Sequence, residues 1–185
     1  MNPLQKKLRE IQGKFGQDVF LDEELLRKEL RLHFSITKKD IGPTLWCVQN
    51  KVYFKAYADP SPQHMWYYHY TLLRKLEEQL GTDEAEALEA VDAWFGIANH
   101  KKEEAFQKPD AAWEPLYKEL WDCEQDIGTR HEPGALEGFL HMAEQTAIAR
   151  YFAGKICLYG KRRDEEQAAR QFEAGAGEGN RDCVW

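Results

Sequence analysis

Residues 149–183, near the carboxyl end of the chain, read ARYFAGKICLYGKRRDEEQAARQFEAGAGEGNRDC and contain the strongest indications of a fold. Gly154 and Ala168 are small enough for two antiparallel helices to approach closely at these positions. Gly160 permits a tight turn, and Asp164 can cap the second helix by accepting hydrogen bonds from its free backbone N–H groups. The stretch therefore predicts a helical hairpin, with Gly154 and Ala168 buried where the two helices cross.

This pattern resembles the Sel-one-like repeat, a tetratricopeptide-like helical hairpin found in adaptor and scaffold proteins. Ala149 and Gly154 stand at the small positions of the first helix of such a repeat. Gly160 stands at its turn, and Asp164 stands at the start of its second helix. The packing positions of that second helix are matched by Ala168, Phe172 and Ala176.

Gly179 and Asn180 match the connection that leads into a following repeat of this family. The stretch departs from the family pattern at Cys157, where an aromatic residue is usual, and at Gly175, which replaces an alanine. The loop after Gly160 is also shorter. Only one repeat is evident, whereas stacked arrays generally need roughly three or more. The resemblance thus implies that the rest of the chain supplies the surface on which the hairpin stacks.

Helical spacing of apolar residues accounts for most of the remaining chain. Within residues 4–34, leucines and isoleucines recur three and four positions apart, which predicts two amphipathic helices. Pro62 and Gly81 bound a helix that is unusually rich in aromatic residues. Further helices are predicted from Thr82, from Asp110 to Gly128, and from Pro133 to about Leu158. Pro115 would lie six residues inside the second of these, so that helix could instead start near Trp113.

One stretch differs from this helical background. Residues 44–58, TLWCVQNKVYFKAYA, place β-branched and aromatic residues on either side of Gln49 and Asn50, which is typical of a short β-hairpin. We therefore expect a mainly α fold, an antiparallel helical-hairpin array that is repeat-like, with one short β-hairpin near residues 44–58. No segment of low complexity divides the chain, so we expect a single helical domain over residues 1–185.

The formal charge is −7, but the acidic residues are concentrated in the middle of the chain. Between Glu77 and Glu137 there are 17 acidic and 5 basic residues, a balance of −12. A field of this sign repels nucleic acid and anionic lipid and attracts a basic protein partner. We expect such a partner, with no nucleic-acid or membrane binding; plain solvation of helix surfaces is the simpler alternative.

The candidate partner-binding site combines acidic residues of this region with large aromatic residues, which often anchor protein interfaces. The helix at residues 62–80 begins with more aromatic rings than one helix face can bury, so at least one or two of them should lie at the surface, in a groove or against the β-hairpin. The candidate residues are Trp66, Tyr67, Glu103, Glu104, Trp113, Trp121, Asp122 and Glu124.

Motifs for catalysis and metal binding are sparse. The sequence has no HExxH, no GxSxG and no glycine-rich phosphate loop, and its four cysteines show no CxxC spacing. We therefore expect reduced thiols, no metal and no cofactor. Glu137, His141 and Glu144 are spaced by four and three on one predicted helix face, where an ion-paired surface is the more common arrangement.

Sel-one-like repeats also occur in bacterial immunity proteins, which neutralise secreted toxins. This resemblance, the acidity and the sparse catalytic motifs predict a non-enzymatic protein-binding domain, most concretely an immunity protein. Without a signal-peptide pattern or a long apolar run, we expect a cytoplasmic location. The alternative is a small-molecule-binding protein or enzyme whose pocket is lined by the helix at residues 62–80 together with His64, His69 or His141.

Overall fold

The computed structural model describes residues 3–33, 38–58, 62–98 and 111–184. These residues form ten α-helices and contain no β-strand, so the prediction of a mainly α fold is confirmed. The chain divides into two compact units, unit 1 (residues 1–107) and unit 2 (residues 108–185), and each is described by itself. Our expectation of a single domain stays a prediction.

Unit 1 contains six helices in its described part. They are α1 (Pro3–Phe15), α2 (Glu23–His33), α3 (Lys38–Gln49), α4 (Val52–Ala58), α5 (Pro62–Leu80) and α6 (Glu84–Ala98). α6 packs against α1, α3, α4 and α5, which places it at the centre of the unit. Its buried residues include Ala87, Val91, Trp94 and Phe95, and a helix that is apolar on most sides is stable only when it is covered in this way.

Aromatic rings fill the core of unit 1. The Phe20 ring packs edge-on against Trp94, with 4.9 Å between the ring centroids, and lies 4.7 Å from the Tyr53 ring. Trp94 and Phe95 are fully buried. Aromatic pairs add roughly 0.5 to 1.5 kcal/mol to the free energy gained from area burial, so we expect these rings to dominate the stability of unit 1.

The predicted β-hairpin near residues 44–58 is wrong, because these residues form the second half of α3 and all of α4. A turn at Asn50 and Lys51 separates the two helices, and Lys51 takes a φ of 54° there. Val52, Tyr53 and Ala56 share one side of α4 and are buried in the core that contains Trp94. Strand propensity largely reflects how a side chain packs, and in this stretch packing against α6 outweighs it.

Unit 2 contains four helices in its described part. They are α7 (Glu114–Gln125), α8 (Glu132–Met142), α9 (Ala147–Tyr159) and α10 (Glu165–Gly177). Each of them packs against the next, and a 3-10 segment, Arg181–Cys183, packs against α9 and α10. α7 begins directly after Trp113, the alternative start that Pro115 indicated. The repeat-like character of the array stays a prediction.

The predicted helix from Pro133 to about Leu158 is two helices in the structure. α8 ends at Met142, residues 143–145 form a turn, and α9 begins at Ala147. The buried Thr146 precedes α9, and its hydroxyl accepts a hydrogen bond from the backbone N–H of Ile148 at 3.3 Å. Threonine is favoured at this position because its oxygen satisfies a backbone donor that the helix leaves free.

The hairpin predicted from Gly154, Ala168 and Asp164 is confirmed as a pair of packed helices, α9 and α10. Gly154 is buried, and a Cβ atom there would lie 2.8 Å from the Phe172 ring. Ala168 is also buried, and the Asp164 carboxylate accepts from the backbone N–H of Gln167 at 2.9 Å. The crossing therefore depends on small residues and a capped helix start, as the sequence indicates.

Gly160 stands at the turn after α9, as predicted, although its φ of −73° is open to any residue. Its lack of a side chain matters because a Cβ atom there would overlap the backbone carbonyl oxygen of Ile156 and would lie 2.8 Å from the carboxylate of Glu132. The buried Glu132 side chain accepts from the backbone N–H of Lys161 at 2.8 Å and from that of Gly128 at 3.2 Å. The glycine thus permits the tight turn and leaves room for a carboxylate that connects the α7–α8 turn to the α9–α10 turn.

Candidate functional site

A surface groove with a volume of about 580 Å³ lies beside α10 in unit 2. α9, α10 and the segment after α10 all contribute to its lining. Two carboxylates, those of Glu165 and Glu173, line it as well. The rest of the lining is largely apolar and includes Leu158, Ala169, Phe172, Ala176 and Val184.

A smaller cleft of about 250 Å³ adjoins this groove, since Leu158, Phe172 and Val184 line both. We call the two together the α10 groove. The smaller cleft adds one ammonium group, one carboxylate and two aromatic rings, from Lys155, Asp182, Tyr151 and Tyr159.

The spacing of residues in α10 explains why one face of this helix lines the groove. Glu165, Ala169, Phe172 and Ala176 follow one another at intervals of four, three and four, which places them on one side of an α-helix. Because alanine side chains project little, this face forms a depression. The neighbouring Ala168 is buried in a small core with Cys157 and Phe172, which fixes the orientation of α10.

Asn180 positions the chain segment that closes one side of the groove. Its buried side-chain amide donates to the carbonyl of Ala147 at 2.8 Å, and its oxygen accepts from the backbone N–H of Asp182 at 3.0 Å. Cys183 is thereby held against α10, where a Cβ atom on Gly175 would lie 2.5 Å from its Sγ. The glycine that departs from the repeat pattern is therefore required by this contact.

The α10 groove carries unusual apolar exposure. Tyr159 is 74% exposed and Val184 is 67% exposed, the two highest values among large hydrophobic side chains in the described ranges. A single exposed apolar residue needs no explanation, but an apolar groove flanked by two such residues is typical of an interaction surface. These two exposed side chains distinguish the α10 groove from the cores of the protein, in which the large apolar side chains are buried.

Charges along the groove are mostly negative. Glu165, Glu173 and Asp182 supply three carboxylates, whereas Lys155 supplies the one ammonium group among the lining residues. The Lys155 Nζ lies 5.3 Å from the centroid of the Tyr151 ring. Glu165 forms a solvent-exposed ion pair with Arg163 at 3.6 Å, which contributes little because water screens it. The groove therefore presents an apolar surface with an acidic border.

The thiols near the groove are poor nucleophiles. Burial raises the pKa of Cys183 to about 11, and the carboxylates of Asp182 and Glu178 act in the same direction. Burial also raises the pKa of Cys157, whose Sγ lies 3.4 Å from the side-chain oxygen of Gln167. A thiol that stays protonated at neutral pH reacts slowly, so the groove offers contact surface rather than thiol chemistry.

The candidate residues of unit 2 lie on or just before α7, and none of them lines the α10 groove. Trp113 is half-buried and stacks on Tyr117, with 6.4 Å between the ring centroids. Trp121 is buried in unit 2, Asp122 is exposed and Glu124 is half-buried. Of these residues, the structure makes Asp122 and parts of Trp113 and Glu124 accessible to a partner.

The candidate residues of unit 1 are less accessible. Tyr67 is buried, and Trp66 on the same helix is half-buried. The prediction that not every ring of α5 turns inward is consistent with the half-buried Trp66 and Tyr68. Glu103 and Glu104 lie outside the described residues.

The histidines of the alternative pocket are divided between the two units. His64 and His69 are five residues apart on α5, roughly 140° around the helix axis, and His141 is exposed on α8 in the other unit. The Nε2 atom of His69 lies 2.8 Å from a carboxylate oxygen of Asp92. Within the described residues, no group of three acidic, histidine or cysteine side chains is arranged to hold a metal ion. Glu144 falls in the turn after α8, apart from the helix that carries Glu137 and His141.

Sequence reasoning did not identify the α10 groove as a site. One available signal was the stripe of Ala169, Phe172 and Ala176 on a helix whose other face already packs on α9. The second lining segment, Cys183 and Val184, gave no such signal, because its position depends on the side chain of Asn180.

No family model, no curated protein and no solved structure matches the chain. The relation to Sel-one-like repeats and to immunity proteins stays a prediction. In the part of the chain that the structure describes, no helix is both long enough and apolar enough to cross a bilayer.

Proposed function

We propose that the chain is a non-enzymatic protein-binding domain. The α10 groove supports this proposal. Its larger part has a volume of about 580 Å³, is lined mainly by apolar residues and is open to solvent beside Glu165 and Glu173. An apolar surface that stays exposed costs free energy unless something covers it. A protein surface with apolar and basic residues is the complement of this groove.

The charge of the chain supports a basic partner. The groove carries three carboxylates and one ammonium group, and the whole chain has a formal charge of −7. Complementary charge speeds the encounter of two proteins and disfavours partners of the wrong sign. Asp122, exposed on α7, adds to the same negative field.

The most concrete form of the proposal is a cytoplasmic immunity protein that neutralises a toxin. The Sel-one-like pattern of residues 149–183, the acidity of the chain and the form of the groove all support it. An immunity protein acts by binding, and it needs no catalytic group of its own. The toxin would carry basic residues on the surface that meets the α10 groove.

The test uses the protein encoded by the gene next to the one for this chain, because immunity proteins are usually encoded beside their toxins. We expect the two purified proteins to bind each other in calorimetry, and we expect co-expression of this chain to restore growth that the neighbour inhibits. The immunity proposal would be rejected if this chain neither bound the neighbouring protein nor protected growth against it.

Charge reversals locate the binding surface. The double variant Glu165→Lys with Glu173→Lys should slow association, while Asp122→Lys with Glu124→Lys tests the acidic surface of α7 in the same way. Association should also slow as salt rises, because the Debye length falls to about 8 Å at physiological ionic strength. If only the α7 double variant slows association, the groove is not the binding surface.

A second candidate, a small-molecule site along α5, is favoured by a separate observation. The hydroxyl of Tyr68 on this helix is buried and has no hydrogen-bond partner among the described residues. Buried donors are usually paired, so a ligand with an acceptor group would satisfy it. A thermal-shift screen of small acids and amides, repeated on Tyr68→Phe, tests this alternative.

A further inference from the structure

We infer that the α10 groove binds one amphipathic helix of a partner protein, a helix with an apolar stripe bordered by lysine or arginine. This inference rests on the proposed protein-binding function and specifies the segment that is bound. The observations that carry it are the geometry of α10, the small residues on its exposed face and the position of the carboxylates along it.

The groove favours a helix over an extended peptide that pairs through its backbone. Such a peptide needs a free strand edge, and the described residues contain no strand. The backbone groups of α10 are already used within the helix, apart from its ends. The groove therefore offers side chains, which an amphipathic helix contacts with its apolar face.

The length of the groove sets the length of the bound helix. From Glu165 to Ala176 the axis of α10 rises by about 16 Å, which equals about three turns. A partner helix of about 11 residues would match this span, with apolar side chains at intervals of three and four. Those side chains would contact Phe172, Leu158 and Val184, which line the groove.

Small residues allow the partner helix to approach closely. Ala169 and Ala176 lie on the exposed face of α10, one on each side of Phe172 along the helix. Packed helices are usually 8 to 10 Å apart, and alanine at the contact permits about the shorter distance. The largely buried Phe172 ring forms the floor between them, and the exposed Val184 adds apolar surface at one side.

The carboxylates determine which charges border the stripe. Glu165 and Glu173 lie on α10 about 12 Å apart along its axis, and Asp182 belongs to the adjoining cleft. Glu173 makes no ion pair with a described residue, so its carboxylate is available to a partner. Lys155 lies over the Tyr151 ring and lines the smaller cleft, whereas Glu165 and Glu173 line the larger groove. A partner helix with lysine or arginine about two turns apart fits this pattern.

The experiment selects binders from a library of displayed helical peptides of about 14 residues, long enough to span the groove with one further turn. The full chain is the bait. We expect the enriched peptides to combine apolar residues spaced by three and four with lysine or arginine along both borders. Enrichment of acidic peptides, or no enrichment over an empty bait, would overturn the inference.

Two groove variants and one control show where the selected peptides bind. Ala169→Glu fills the groove while adding a charge that attracts basic peptides, so a loss of affinity reports the blocked contact. We expect a loss of roughly tenfold, the usual size for one interface anchor, and a smaller loss for Glu173→Lys. Glu137→Lys, an equal charge change on an exposed α8 residue, should leave the affinity unchanged. Equal losses in all three variants would mean that the peptides bind elsewhere.

A second copy of the chain is the competing occupant of the groove. Sedimentation of the chain over a range of concentrations distinguishes a second copy from a partner helix. If the chain forms a dimer and Ala169→Glu abolishes it, the groove binds a second copy and the inference is overturned. The inference and the immunity proposal fail separately. If the neighbouring protein binds through this groove but no helical peptide does, only the inference fails; if such peptides bind and the neighbouring protein does not, only the immunity proposal fails.

Discussion

The two units bury their apolar residues by different means. Unit 1 packs large rings around α6, with Phe20, Tyr53 and Trp94 in mutual contact. The α9–α10 hairpin of unit 2 instead brings two helices together at small residues, with Gly154 facing the Phe172 ring. Large rings fill space in every direction, whereas a small-residue crossing covers only one face of each helix. The second face of α10 is consequently open.

This contrast indicates where stability and binding are located. Substitutions in the aromatic core of unit 1 should lower the free energy of unfolding most, because each ring makes many van der Waals contacts. Substitutions at the hairpin should cost less and should alter the α10 groove more. The four predictions that follow test this division.

The largest effect is expected for Trp94→Ala. Trp94 is fully buried in unit 1, and truncating a buried tryptophan removes about 3 to 5 kcal/mol from the free energy of unfolding. Urea denaturation followed by circular dichroism measures the loss. Trp113→Ala, at a half-buried tryptophan of unit 2, is the matched control and should cost less. Equal losses would contradict the aromatic-core interpretation of unit 1.

Gly154→Leu should cost about 1 to 3 kcal/mol, because the new side chain would overlap the Phe172 ring at the helix crossing. Gly134→Ala in α8 is the control. A Cβ atom at Gly134 meets nothing within 4 Å, so this change should stabilise the protein by about 0.5 to 1 kcal/mol. A neutral Gly154→Leu variant in thermal unfolding would show that the crossing adjusts freely.

Thr146→Ala should cost about 1 kcal/mol, because the backbone N–H of Ile148 loses its acceptor at the start of α9. Thr146→Ser keeps the hydroxyl and should retain most of the stability. Urea midpoints of the two variants measure the difference. A serine variant as unstable as the alanine variant would attribute the effect to packing of the threonine methyl group.

An effect confined to high pH is expected from the Cys183 thiol. Burial raises its pKa from 9.0 to about 11 in the folded protein, so folding favours the protonated thiol. This contribution is complete below about pH 9 and is lost as the pH rises towards 11. The urea midpoint of the wild type should therefore fall more steeply over this range than that of Cys183→Ala. Parallel curves would show that the thiol is not desolvated.

Local signals at the ends of helices were strong enough to predict several elements from the sequence. α5 runs from Pro62 to Leu80, as expected from a proline that suits the first turn of a helix and from Gly81, which takes a φ of 62° after its end. Asp164 likewise caps α10 as predicted. These helix ends depend on residues that are close in the sequence, so they can be predicted from a single sequence.

The features that the sequence did not predict depend on distant residues. Residues 44–58 form helices because Val52, Tyr53 and Ala56 join the core around Trp94, a contact some 40 residues away in the chain. The α10 groove likewise requires Asn180 to bind the carbonyl of Ala147 before Val184 can line it. Charge counting pointed to residues 77–137, whereas the carboxylates that line the groove, Glu165, Glu173 and Asp182, lie outside that range.

One hydrogen bond of Asn180 also bears on folding kinetics. Its bond to the carbonyl of Ala147 joins the segment after α10 to the start of α9, so we expect this bond to form only after the two helices have packed. Contacts that form after the transition state influence the unfolding rate and leave the folding rate almost unchanged. Asn180→Ala should therefore shorten the lifetime of the native protein in stopped-flow unfolding while refolding proceeds at the wild-type rate. On this basis we expect the α10 groove to be assembled late in folding and lost early in unfolding.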